Sequence, residues 1–188
     1  MAQQAVTGIS RLIAEADKIQ DPAIREFTQL VLCVSAEGNW RGISGYNHHL
    51  QDERGEWGNL IHTLRVLTIV NVLCDLLNLL QRDRDVLRSA AILHDSCKHG
   101  VDAEYEKILS WTHPQLVAEL VSRAGIEYLQ PVKECIEQHT GRWGSVPCNW
   151  AGAMVLAGAI GNITLPFLLH VADCIESNLP DVMGVKIE

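Results

Sequence analysis

A chain of 188 residues, 47% hydrophobic and 20% charged, has the size and balance of one globular domain and excludes a disordered or low-complexity protein. Its net charge of −8 and pI near 5.4 argue against nonspecific nucleic-acid binding through phosphate neutralisation. They do not exclude a nucleotide substrate, because metal ions and a lysine make a pocket locally positive inside an acidic protein.

The six cysteines (Cys33, Cys74, Cys97, Cys135, Cys148 and Cys174) are scattered without a CxxC pair, and polar and acidic residues interrupt the first twenty positions. The expectation is a reduced, cytoplasmic protein with no membrane partner, whose cysteines are mostly small core residues. Near the start, Ile9, Leu12, Ile13, Ala16 and Ile19 recur at helical spacing. Asp21-Pro22 marks a stop and a restart, and residues 23–34 continue as a second helix. Residues 37–58 then change character, with scattered glycines, Trp40, Trp57 and the adjacent His48 and His49 but no sustained period. This predicts a long irregular segment, either a binding loop or a cover for the core. His48 and His49 read as surface imidazoles.

Residues 59–80 form the first strong helix, with Leu60, Leu64, Leu67, Val70, Leu73 and Leu77 on one side, and with His62 and Arg65 sharing a face. Residues 82–94 follow, Asp83 and Asp85 placing negative charge at the helix start. This helix runs into Leu93-His94-Asp95-Ser96-Cys97-Lys98-His99. Histidine offers a neutral nitrogen and the adjacent carboxylate two oxygens, one for each of two ions, so the pair can hinge two metals. Taken alone, the dipeptide reads equally as a helix end with an exposed carboxylate.

Thr112-His113-Pro114 opens another helix, with Thr112 as a cap and Pro114 in the first turn. His113 is there a ligand or a capping residue. Over residues 130–139, Val132, Cys135, Ile136 and His139 keep three-and-four spacing, so His139 continues the buried face. Thr140-Gly141-Arg142-Trp143-Gly144 breaks that helix. Arg142 with Trp143 either stacks on a base and grips a phosphate or forms a structural corner. Residues 150–160 are apolar, interrupted by glycines and too short to span a bilayer, and are expected to be a buried segment or a subunit contact. The last helix, residues 165–177, carries His170 and Asp173 three apart.

The order His62, His94-Asp95, His113, His139, Asp173 resembles the HD superfamily of metal-dependent phosphohydrolases. Ile61-His62-Thr63-Leu64-Arg65-Val66 is similar to that family's first-histidine helix, Leu93-His94-Asp95-Ser96-Cys97-Lys98 to its central HDxxK element, and His170-Val171-Ala172-Asp173-Cys174-Ile175 to its final-aspartate helix. The resemblance covers about residues 58–178. It implies an all-α, compact helical bundle, with residues 1–57 as N-terminal helices and an irregular loop packed on a core of residues 58–188. Cys97 stands where glycine is frequent in the family, and no GYP signature follows.

The resemblance further implies the two-metal form of the site. His62, His94 and Asp173 would hold one ion, His113 and His139 the second, and Asp95 would bridge them. Two divalent transition metals drawn from Fe, Mn, Co, Ni or Zn suit these ligands. The implied activity is hydrolysis of a nucleotide-like phosphate ester by a metal-bridging hydroxide, with Asp95 and Lys98 as catalytic residues and Lys98 offsetting phosphate charge. Lys98, Arg142 and Trp143 are expected at the substrate. Arg65 is expected either there, as a phosphate clamp, or paired with a ligand carboxylate or a neighbouring helix. His99 or a water stands as the proton donor to the leaving group, and His170 either orients a neighbouring group or packs. A di-iron HD-type oxygenase and a non-catalytic HD-fold binding module are the alternatives, and a homo-oligomer is compatible with either.

Overall fold

The computed structural model describes residues 2–45, 49–103, 108–109, 112–140 and 163–177, with backbone alone for residues 2–7. These residues hold eight α-helices and one 3₁₀ turn and no strand, as an all-α chain requires. The elements are α1 (Ala2–Ala16), α2 (Pro22–Val34), α3 (Glu37–Arg41), the 3₁₀ turn (Gln51–Arg54), α4 (Gly58–Leu76), α5 (Gln81–Leu93), α6 (His113–Arg123), α7 (Gln130–Gln138) and α8 (Leu165–Ser177). His48, Arg142, Trp143 and residues 150–160 lie outside the described residues.

Helix α5 is the axis of the bundle and packs against α1, α2, α4, α7 and α8. Its sequence suits that place. Arg82 and Asp83 keep the first turn in solvent, and beyond them Leu87, Ala90, Ala91, Ile92 and Leu93 are fully buried. Two consecutive alanines let neighbouring helices approach on several sides, while each large side chain sealed from water contributes about 1.5–3 kcal/mol. The Thr28 hydroxyl donates to the Ile24 carbonyl (2.7 Å) and pairs with the Ser89 hydroxyl (2.7 Å), so the α2–α5 contact buries its polar atoms in pairs.

The start of α2 is fixed by Asp21, whose carboxylate accepts the Ala23 and Ile24 N–H groups (2.9 and 3.2 Å), with Pro22 as the first helical residue. Asp85 accepts the Gln20 and Asp21 N–H groups (3.1 and 2.8 Å) and so clasps the α1–α2 turn onto α5. Its carboxylate therefore does more than complement a helix dipole. Helix α4 ends at Leu76, short of residue 80, because Asn78 takes a left-handed conformation (φ 48°) that stops a helix. By length and composition α4 could cross a bilayer, but 56% of that stretch is buried inside this molecule, as expected of a core helix.

The irregular segment predicted for residues 37–58 proves more ordered, because α3 and the 3₁₀ turn occupy parts of it. Trp40 is fully buried and donates Nε1–H to Ser35 Oγ (2.7 Å). Asn39 donates to the Gly100 carbonyl (2.8 Å) and accepts the His99 N–H (2.7 Å), while Asn59 donates to the carbonyls of Asn39 (2.9 Å) and Asp95 (3.1 Å). Three segments are thus tied to the bend after α5, where the polar motif lies. Cys33, Cys74, Cys97 and Cys135 are free thiols, whereas Cys174 is disulfide-bonded, which corrects the expectation of a fully reduced set.

Candidate metal centre

Five helices deliver six side chains to one point. His62 comes from α4, His94 caps the C-terminus of α5 with Asp95 directly after it, His113 opens α6, His139 caps the C-terminus of α7, and Asp173 comes from α8. The caps explain two of the orientations. A helix C-terminus leaves carbonyls without intrahelical partners, and the ring Nδ1–H of His94 donates to Ala91 O (2.8 Å), that of His139 to Ile136 O (2.6 Å). His113 Nδ1 donates likewise to Leu109 O (2.7 Å), and His62 Nδ1 to Glu176 Oε2 (2.5 Å). With every Nδ1 engaged, the four rings all turn their Nε2 atoms to the centre.

Those nitrogens form two sets that share Asp95. On the side of Asp95 Oδ2 lie His62 Nε2 (3.5 Å) and His94 Nε2 (3.5 Å), which are 3.3 Å from each other, and His62 Nε2 is 3.1 Å from Asp173 Oδ1. On the side of Asp95 Oδ1 lie His113 Nε2 (3.0 Å) and His139 Nε2 (3.8 Å), which are 3.2 Å apart. Ligands about 2.1 Å from a transition metal, set at octahedral or tetrahedral angles, stand about 3.0–3.4 Å from one another. The two sets have that scale. Ring nitrogens 3.2–3.3 Å apart in a buried site need a proton or a metal ion between them, so the donor chemistry fits metal binding.

The electrostatics carry the same demand. Burial opposes charge on His62, yet the Asp173 and Glu176 carboxylates overcome it and raise the ring to about 10. Burial, reinforced by His94 and His113, pushes His139 down to about 3, and burial also lowers His94. Asp95 resists burial and is held well below the usual carboxylate range by Lys98 and His94. Asp173 is held low against burial by His62. Positive charge is thus favoured where His62 meets Asp173, while His94 and His139 are kept neutral and fit to be ligands. Asp173 is 22% exposed whereas His62, His94, Asp95 and His139 are at most 2%, so the centre opens to solvent beside α8.

Around the centre, Lys98 Nζ lies 2.5 Å from Asp95 Oδ2 and 3.1 Å from Ser44 Oγ. The Arg65 guanidinium grips Asp52 (3.0 and 2.7 Å) and touches Glu53, neither of them one of the six expected ligands. The His99 ring sits against the Ile43 carbonyl (3.0 Å), a packed position rather than one facing the ions. His170 Nδ1 donates to the His139 carbonyl (2.6 Å), supporting the turn that carries a ligand. Cys97 is fully buried, and burial pushes its thiol up to about 12.

Three neighbours of the centre escape the sequence pattern. His49, expected at the surface, is only 12% exposed, lies 3.0 Å from Glu53 Oε2 and meets the His62 ring edge-on at 5.0 Å. Glu53 and Glu176 are fully buried, and together with His49 and His62 they form a second group of donors behind the first. Burial, opposed by His62 and reinforced by Glu53, raises Glu176 to about 7, whereas His49 and its other partners hold Glu53 at about 2 in spite of burial. Glu176 had a signal, since it stands three residues after Asp173 on an apolar helix. Glu53 had none.

The HD domain family model matches residues 59–176, well over half of the chain. No curated protein and no solved structure gives a match.

Proposed function

We propose, from the premise that this chain belongs to the HD-domain family, that it hydrolyses a nucleotide-like phosphate ester at a centre of two divalent transition metals. The observation that carries the reading is the division of Asp95, one oxygen within 3.5 Å of His62 and His94 and the other within 3.8 Å of His113 and His139. His62, His94 and Asp173 would hold one ion, His113 and His139 the other, with Asp95 between them. When bound, such a pair supplies Lewis acidity and a water of lowered pKa to a phosphoryl displacement.

The chain's own groups do the rest. The four Nδ1–H hydrogen bonds fix each ring's tautomer and orientation before any ligand arrives, so no reorganisation is spent on assembling the ligand set. Lys98, held between Asp95 and Ser44, keeps a compact positive charge beside the bridging carboxylate, where phosphate charge would be met. The nearly complete burial of Asp95 and the histidines limits water, while the partly exposed Asp173 leaves one side open to a small ester.

The test is metal analysis of purified protein with a panel of nucleotides and phosphomonoesters and phosphodiesters, each assayed with Mn, Fe, Co, Ni and Zn both without and with oxygen. Phosphate release by protein carrying two metals per chain supports the reading. Release of no phosphate from the whole panel by the two-metal protein overturns it, and oxygen consumption coupled to substrate loss would assign the centre to the oxygenase class instead.

A further inference from the structure

Away from the metal centre, α1 and α4 enclose a cavity of about 460 Å³ that no part of the reading above uses. Its size is that of small-ligand sites. From α4 the wall is built by Ile61, Leu64, Arg65 and Thr68, which recur at the three-and-four spacing of one helix face, from α1 by Arg11 and Glu15, and from the turn after α1 by Lys18. His62 leaves α4 about 100° round from Ile61, towards the ions, so the groove and the centre occupy different faces of the same helix.

The charges in the groove are unequal. Among the described residues the groove is lined by three cations, Arg11, Lys18 and Arg65, and two carboxylates, Glu15 and Asp52. Lys18 is paired with Glu15 (2.6 Å) and Arg65 with Asp52 (2.7 Å) and Glu53, so Arg11 is the lining cation that no described carboxylate holds. Beside these cations, Ile61 and Leu64 are only partly buried and offer an apolar floor.

We propose that this groove binds a small organic anion, its apolar body on Ile61 and Leu64 and its acidic group on the cations led by Arg11. The site is wired to the metal centre through Arg65. The same guanidinium that borders the groove touches the buried Glu53, and Glu53 lies 3.8 Å from Nδ1 of His62, whose other nitrogen faces the ions. An anion that draws on Arg65 withdraws positive charge from the Glu53–Glu176 pair behind His62 and so changes how strongly His62 holds a metal. Binding in the groove does not depend on what the centre hydrolyses.

The probe is 8-anilinonaphthalene-1-sulfonate, an anion on an apolar body that fluoresces when sheltered from water. Titrated into the full chain loaded with manganese, it saturates as a single site, and it still saturates as a single site in metal-free Asp95→Ala protein, its affinity changed only by the factor that couples the two sites, which separates this site from the centre. Arg11→Glu weakens it about tenfold by reversing the charge in excess. Thr68→Trp, at an exposed position of the wall, weakens it as much by filling the groove. The uncharged N-phenyl-1-naphthylamine binds about tenfold less well. Saturating probe shifts the manganese dissociation constant of the wild type, measured by chelator competition, and leaves it unshifted in Arg11→Glu. Non-saturable fluorescence, wild-type affinity in either groove variant, or equal affinity for the uncharged analogue overturns the site, and an unshifted manganese constant in the wild type overturns the wiring.

Discussion

Glu176 Oε2 accepts the Nδ1–H of His62 at 2.5 Å, with both side chains fully buried. A carboxylate behind a ligating imidazole fixes the ring and raises the basicity of its other nitrogen. Glu176→Gln keeps the volume and removes the charge, so metal affinity is expected to fall about tenfold to a hundredfold with helical content unchanged. Chelator competition and circular dichroism measure the two quantities, and wild-type affinity in the variant would leave Glu176 with a packing role only.

Because Asp95 stands in both donor sets and His113 in one, their removal should differ in stoichiometry. Asp95→Ala is expected to lose both ions and all turnover, and His113→Ala to lose one. Mass-spectrometric metal counting on folded protein reads this directly. Equal metal content in the two variants would contradict the bridging geometry.

The metal-free protein should lose stability on mild acidification. In the folded state His139 is lowered to about 3 and His94 is lowered too, from a value near 6.5 when unfolded. Between those values the unfolded chain binds more protons, so the contribution of these rings is complete above pH 6.5 and falls away as the pH drops towards 3. His62, raised to about 10, acts in the opposite sense and loses its contribution as pH rises through 10. The midpoint of thermal unfolding in chelator is expected to be lower at pH 5 than at pH 7.5. Glu176, raised to about 7, acts in the same sense as His62, so a flat profile would mean that these two offset the neutral rings in full.

Gly42 has an ordinary φ of −67°, which any residue adopts, but a Cβ there would lie 2.6 Å from Cδ2 of His99, whose ring is held by the Ile43 carbonyl. Gly42→Ala is therefore expected to cost about 1–3 kcal/mol through overpacking alone. Denaturant unfolding measures it, and a neutral result would show that the His99 ring swings aside freely.

The sequence by itself determined the long helices and the identity of the six polar side chains, but not α3 or the 3₁₀ turn within residues 37–58. Three-and-four spacing marks a buried face whatever that face packs against, and a histidine that continues such a face, as His139 does after Val132, Cys135 and Ile136, can be picked out before any fold is known. Chain-local signals such as Asp21-Pro22 worked for the same reason, since a cap acts within one turn. What only the tertiary structure decided depends on contacts between segments far apart in the chain. Which oxygen of Asp95 meets which pair of rings, the turning of His49 inward and the capture of Arg65 by Asp52 and Glu53 are set by how helices cross, and residues 49–53 have no period that would announce it. Periodicity reports one helix at a time, whereas a site assembled from five of them exists only in their packing.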